Sequence, residues 1–326
     1  DYIVSGSIRA VENRIRISVE LSETPDGNVI WSNKYDRVKE DIFDIQDEIV
    51  RKITIALLGG IEISSLKRAH RKPTESMTSY EFLLKGKDNH HKFTKEANLE
   101  ALKCFDEALA ADPGNAQAYA WKVCTLGQAM FRGFSDRNSE EIFSEAKENI
   151  NKALELNEND FECHRMLSAV YLSNHDYILA EDHGRKAFNM VPNDPRVLSG
   201  YGEVLVRIGK VDKGLELLNK AFELDPIPQG QSTSDNRIKD LILGYFFAED
   251  FNKVIELSFD IRKMDVRSLV LILFSRSKLN QDIKSSNEYS LLNAEFRQTD
   301  WEQTVDRFHI QDDSIKSKII SYIKTI

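Results

Sequence analysis

At 326 residues the chain is long enough for two domains, and its 41% apolar and 30% charged residues are ordinary for a soluble protein. A formal net charge of −9 argues against a dedicated nucleic-acid binder. Three cysteines without a Cys-x-x-Cys exclude a disulfide framework, and the longest unbroken apolar run, Leu269–Phe274, is far short of the roughly 20 residues that span a bilayer.

The charge is unevenly placed. Residues 1–72 carry 12 Lys/Arg against 12 Asp/Glu, so the remainder, 32 against 41, holds the whole excess. An acidic surface suits a well-solvated helical array. Cys104, Cys124 and Cys163 fall in predicted helices and read as buried or half-buried free thiols. They point to a reducing, cytoplasmic setting; an upstream membrane segment would make it periplasmic. The opening residues Asp1-Tyr-Ile-Val already read as strand, so the sequence is expected to be a piece of a longer protein.

Residues 1–60 read as three strands and a helix. Ile15, Ile17, Val19 and Leu21 alternate with Arg14, Arg16, Ser18 and Glu20, the period of a strand with one buried face. Glu12-Asn13 and Pro25-Asp26-Gly27 supply turns, and Tyr2–Arg9 and Val29–Tyr35 flank the central strand in an antiparallel meander. Ile42, Ile45, Ile49, Ile53 and Leu57 then recur at helical spacing after Asp41 or Asp44, and Gly59-Gly60 reads as the helix stop. So few elements bury little surface, so this is expected to be part of an α/β domain. Residues 61–77, with Ser64-Ser65 and the basic stretch Lys67–Lys72, read as a solvated linker with a helical turn or two.

From residue 78 onward the expectation is helix throughout. Ala108-Leu-Ala-Ala-Asp-Pro113 returns as Ala153-Leu-Glu-Leu-Asn-Glu158, Ala187-Phe-Asn-Met-Val-Pro192 and Ala221-Phe-Glu-Leu-Asp-Pro226, at intervals of 45, 34 and 34 residues. That is the period of tetratricopeptide helix pairs. The repeats are placed at 78–115, 116–160, 161–194 and 195–228, with a degenerate fifth at 235–265. The second carries 11 extra residues around 129–139 and the first three extra in its turn. Alanines stand where helices touch, tyrosines such as Tyr119, Tyr171 and Tyr201 fill gaps, and no repeat buries its apolar face alone. Residues 266–326 are expected to cap the stack, with helices at Leu269–Phe274, Trp301–Phe308 and Ile315–Ile323. The fold class is therefore mainly α: a tetratricopeptide-type solenoid preceded by a small partial α/β domain of three antiparallel strands and a helix.

The strings Val4-Ser-Gly-Ser-Ile-Arg9, Arg14-Ile-Arg-Ile-Ser-Val-Glu-Leu21, Ile30-Trp-Ser-Asn-Lys-Tyr-Asp-Arg37 and Ile42-Phe-Asp-Ile-Gln-Asp-Glu-Ile49 carry a resemblance. Over about residues 2–260 the chain resembles a module of bacterial signalling proteins, in which a domain related to the amino-terminal domain of TolB precedes tetratricopeptide repeats. Members include the carboxy-terminal half of class III adenylate or guanylate cyclases and regulators of the CadC type. The resemblance implies a catalytic or DNA-binding unit upstream, and it carries no catalytic residue onto this sequence.

Gly86-Lys87-Asp88 lacks the upstream glycine and the Ser/Thr of a phosphate loop, and Gly-x-Ser-x-Gly and His-Glu-x-x-His are absent. His164, His175 and His183 share no i, i+4 face, which disfavours a common metal. The groove is the stronger candidate. Positions 2, 5, 9 and 12 of first helices usually face the concave side of such proteins. Here these include Tyr80, Lys87, Gln117, Cys124, Glu162, Arg165, Arg196, Glu203, Lys239 and Phe246. Arg165, Arg196 and the neighbouring Arg207 suit an acidic peptide or carboxylate terminus, against the plainer reading of solvated helix charges. Position 9 holds Lys87, Cys124, Ala169, Glu203 and Leu243 instead of Asn, which disfavours a chaperone-tail clamp.

The expected function is a non-catalytic regulatory and protein-interaction region attached to a nucleotide cyclase. The alternatives are the sensor half of a winged-helix transcription regulator, or a freestanding assembly adaptor. A protein or peptide partner in the groove and self-association are expected; a cofactor, a metal, nucleic acid and a membrane span are not.

Overall fold

The computed structural model describes residues 2–24, 27–38, 53, 59–62, 64–67, 69, 77–228, 234–296 and 299–326. The chain divides into two compact units, Asp1–Ala118 and Tyr119–Ile326.

In the first unit the alternating residues form β1 (Tyr2–Val11), β2 (Arg14–Glu23) and β3 (Val29–Val38), an antiparallel sheet in that order. Ile8 lies across from Ile17 and Leu21 across from Trp31, with an irregularity at Leu21/Ser22. Ile15, Val19, Leu21 and Tyr35 are buried, while β1 is exposed along nearly its whole length. The helix expected at 42–57 lies outside the described residues, apart from the helical position 53.

Two readings of the next segment are corrected. Gly59-Gly60 does not stop a helix, and the described residues of 59–69 are helical, not a solvated linker. The reason is packing against the sheet. A Cβ at Gly60 would lie 3.4 Å from Leu21, so the missing side chain lets helix and strand approach. The Ser64 hydroxyl donates to Glu23, Ser65 and Tyr2 hydroxyls are 3.1 Å apart, and Ala69 is fully buried.

α1 (Ser79–His90) starts at a capping box in which Thr78 and Glu81 satisfy each other's backbone donors. α2 (Lys95–Ala111) packs on it so closely that a Cβ at Gly86 would meet the Phe105 ring at 2.4 Å. The pairs continue as α3 (Ala116–Arg132) with α4 (Ser139–Leu156), α5 (Phe161–Ser173) with α6 (Tyr177–Met190), and α7 (Pro195–Arg207) with α8 (Val211–Leu224). α9 (Asp235–Phe247) and α10 (Phe251–Ser258) form the fifth pair. Asp160 and Asp194, one period apart, cap α5 and α7 in the same way.

The extra residues of the second repeat are not an 11-residue loop. Compared with α5–α6, each helix is four residues longer, 17 against 13 and 18 against 14, and the turn is three residues longer. In the first repeat the second helix is likewise longer, 17 residues against 14, while the first helix is one residue shorter, 12 against 13, and the turn one residue longer. Helix extension keeps the added backbone groups hydrogen-bonded, which an open loop would leave to water.

At the end of the second unit lie α11 (Val266–Lys278), α12 (Asn287–Glu295), α13 (Trp301–Asp306) and α14 (Asp313–Ile323). Ser268–Ser275 of α11 is buried all round, and it shares one apolar cluster with Val206, Ile242, Phe246, Val305, Phe308, Ile310 and Ile319. These helices do more than cap the stack. The link between α13 and α14 reaches back to α7 and to the start of α6, where the Tyr177 hydroxyl donates to the Ile310 carbonyl at 3.0 Å.

Candidate functional site

The first helices of the second unit line up their polar side chains, and those side chains bind one another. Glu162 on α5 is only 2% exposed and receives Arg165 at 2.8 Å and Arg196, from α7, at 2.6 Å. Arg196 also binds Asp194 at 2.6 Å and lies over the Phe161 ring, while Arg165 lies over Trp121. Burial pushes the Asp194 carboxyl up, but the Arg196 bonds outweigh it and hold the group below its ordinary range. Each guanidinium is thus already held by carboxylate and aromatic partners.

A second network joins α7, α9 and α11. The Asp240 carboxylate accepts from the Ser199 hydroxyl at 2.8 Å, and Arg267 lies 3.5 Å from Glu203 and 3.9 Å from Asp240. Arg207 binds Glu203 at 3.2 Å, and Lys239 binds Asp265 at 3.3 Å. Burial pushes Glu203 up, yet Arg207 and Arg267 prevail and hold it down to about 2. Burial and the Glu203 charge push Asp240 the other way, well above the usual carboxylate range. One carboxylate takes the cations, and the proton affinity of its neighbour rises beside it.

Between α5 and α7 lies a small cleft of about 60 Å³, with Ala169, Leu172, Val197 and Gly200 along its walls and Arg165 and Glu203 beside it. Gly200 keeps it open: a Cβ there would have only the Arg165 side chain at 4.0 Å.

The histidines pair in a way their spacing did not suggest. His164 and His183 bring their Nδ1 atoms to 2.8 Å, and His164 Nε2 lies 2.8 Å from the Glu158 carbonyl. Nε2 donates to that carbonyl, and one Nδ1 donates to the other across the pair. Burial and the neighbouring His164 push His183 down to about 4. His175 instead meets His309 edge-on at 5.1 Å and sits 3.4 Å from Asp306. Burial, Arg207 and His175 push His309 down to about 4. Among the described residues no group of three His, Cys, Asp or Glu could hold a metal ion.

The proposed groove residues therefore divide. Tyr80 is exposed on α1, and Gln117 and Cys124 are half-buried on α3. Lys87 is no groove cation: it is buried and bound to Glu62 at 2.6 Å. Phe246 is no groove aromatic: it is buried among Phe247, Phe251 and Phe274. Glu162, Arg165, Arg196, Glu203, Arg207 and Lys239 do lie on the first-helix face, but as closed ion-pair networks. Arg165, Arg196 and Arg207 thus do not form a ready clamp for an acidic peptide, because their charges are already matched. Arg267, Asp240 and Ser199 were missed; Asp240 and Arg267 lie at spacings that the degenerate fifth repeat obscured. Among the described residues no helix is long and apolar enough to cross a membrane.

No protein-family model matches the sequence. Among curated proteins the chain is similar to "Putative adenylate cyclase 3" of Rhizobium meliloti (strain 1021), 32% identical over 119 residues that make up 36% of this chain and 20% of that protein. It is also similar to "Protein O-mannosyl-transferase TMTC1" of Homo sapiens, 30% identical over 127 residues, 38% of this chain and 12% of that protein. The chain spans a fifth or less of the length of these relatives. Among solved structures it is similar to the APC/C hetero-tetramer Cut9–Hcn1, with a TM-score of 0.51 at 12% identity over 82% of this chain and 48% of that one. The fold is accordingly that of a tetratricopeptide-type helical solenoid, mainly α, with a small three-stranded antiparallel sheet at its start.

Proposed function

We propose that this chain is a non-catalytic regulatory and interaction region of a larger bacterial signalling protein, attached to a nucleotide cyclase. The 119-residue similarity to a protein named as an adenylate cyclase carries the reading. The side-chain chemistry is in keeping with it. Burial pushes the thiols of Cys104 and Cys163 up to about 11 and 12, and the first-helix charges are matched within the fold. Such groups suit a rigid scaffold better than acid–base or nucleophilic work.

In the same reading the sheet belongs to a TolB-like α/β module. Its edge strand β1 has Ile8 72% exposed on the face that carries buried Ile15 and Val19, so a further layer is expected there in the parent protein. The solenoid offers its partner the α5–α7 cleft and the exposed first-helix residues beside it. The test is a purified chain incubated with ATP or GTP and magnesium or manganese. No cyclic nucleotide is expected. Formation that tracks the protein through every purification step would overturn the reading.

A further inference from the structure

The link between α13 and α14 is an irregular segment that the solenoid holds mainly by its backbone. The Arg207 Nε donates to the Phe308 carbonyl at 3.0 Å, and the Gln311 amide donates to the Arg207 carbonyl at 3.0 Å. The Tyr177 hydroxyl takes the Ile310 carbonyl. Two side chains, Phe308 and Ile310, are buried as anchors on either side of His309. Backbone bonds combined with alternate apolar anchors are how a groove takes a peptide. We propose that Arg307–Gln311 is an intramolecular ligand of the solenoid, a strap that a partner segment with the same aromatic-x-aliphatic chemistry displaces.

Two features make the strap the weak point of its surroundings. His175 and His309 are both non-glycine residues in the left-handed region, at φ of 60° and 54°, and they face each other. The groups around His309 are His175 and Tyr177 from the α5–α6 segment, Glu203 and Arg207 from α7, Asp306 from α13 and Lys316 from α14. The half-buried His309 imidazole is held neutral beside the buried Arg207 guanidinium, so protonating it sets two cations together, and opening the strap relieves that contact. Opening also exposes Arg207, whose other partner, Glu203, stays in place on α7. The strap thus regulates the region described under Proposed function, and the inference rests on that reading.

Native-state hydrogen exchange on the wild-type chain tests the opening. The Gln311 amide is expected to exchange at least tenfold faster than the amides of Ile242 and Leu271. Exchange of all three at one slow rate would show the strap to be ordinary core and overturn the proposal. The second arm uses a synthetic peptide of sequence Arg307–Asp313 and a scrambled control of the same composition. The double variant Phe308→Ala/Ile310→Ala is expected to bind the peptide at least tenfold more tightly than wild type and to ignore the control. A folded double variant, shown so by circular dichroism, that does not prefer the peptide would also overturn it. If the double variant does not fold, the exchange rates decide alone. Neither arm measures cyclic nucleotide, so failure here leaves the broader functional reading separately tested.

Discussion

Gly214 offers the sharpest perturbation. In α7–α8 the two helices cross at Gly202 and Gly214, where α5–α6 has Ser168 and Ala180 one period earlier. A Cβ at Gly214 would lie 2.6 Å from the Val206 side chain and 2.9 Å from both the Gly202 carbonyl oxygen and the Val206 amide nitrogen. Ordinary contact is about 3.5–4.0 Å. Two of the three obstacles are backbone, so the helices must separate, which loosens the cluster of Leu198, Leu205, Leu217 and Ala221. Overpacking of this kind costs about 1–3 kcal/mol, and two backbone contacts under 3.0 Å place this site in the upper part of that range, about 2–3 kcal/mol. Replacing glycine in a helix returns roughly 1 kcal/mol of propensity. Gly214→Ala should therefore lose about 1–2 kcal/mol, and at about 2–4 °C per kcal/mol for a unit of this size its Tm should fall by roughly 2–8 °C. Gly200→Ala is the internal control. It meets only the Arg165 side chain at 4.0 Å and should gain about 0.5–1 kcal/mol. The measurement is paired thermal melts followed by circular dichroism at 222 nm. A Gly214→Ala chain as stable as wild type, or no less stable than Gly200→Ala, would refute the backbone-contact argument.

Acid should weaken the fold. His183 and His309 are held near 4 from an ordinary 6.5, so the unfolded chain binds protons that the native one refuses. Stability is whole above about pH 6.5 and falls as the pH drops toward 4, by up to about 3 kcal/mol for each histidine. Urea midpoints that stay level between pH 7 and pH 4.5 would count against this. Asp240 works in the opposite direction: its folded value is raised by burial and by Glu203, so its cost grows as the pH rises above the unfolded value of 3.8. Asp240→Asn keeps a donor toward Glu203 and should be more stable than wild type at pH 8 but not at pH 4; a loss of stability at pH 8 would contradict it. Glu162→Gln removes the buried anion that binds Arg165 and Arg196, and should cost about 1–3 kcal/mol by denaturant titration. A change within experimental error would mean that solvent already serves those guanidinium groups.

Much of the architecture was legible in the residues because tetratricopeptide structure is local. The alanines at 108, 153, 187 and 221 are each buried where helices touch, and Asp300, directly before Trp301, caps α13. A helix, its cap and its partner helix are written within one period, so spacing and residue type suffice. The 11 extra residues of the second repeat were countable, but their destination was not. Whether they form a loop or lengthen both helices depends on the neighbours available to the added turns. Gly59-Gly60 misled for a related reason. A glycine pair signals a stop by propensity, yet here Gly60 serves the close approach of a helix to Leu21.

The sequence alone determined the helix pairs, their period, the meander and the apolar faces, because those follow from short-range sterics, hydrogen bonding and the burial of periodic side chains. Tertiary structure alone decided which charges and rings meet. Arg207 and Phe308 stand 101 residues apart and share a hydrogen bond, and His164 finds His183 across a helix hairpin. On a helix face an arginine reads the same whether it awaits a ligand or is already bound. Only the approach of α5 to α7, of α7 to α11 and of the C-terminal link to both showed that the first-helix charges are matched. The physical reason is range: propensity acts over a few residues, whereas the partner of a buried charge is set by where distant segments pack.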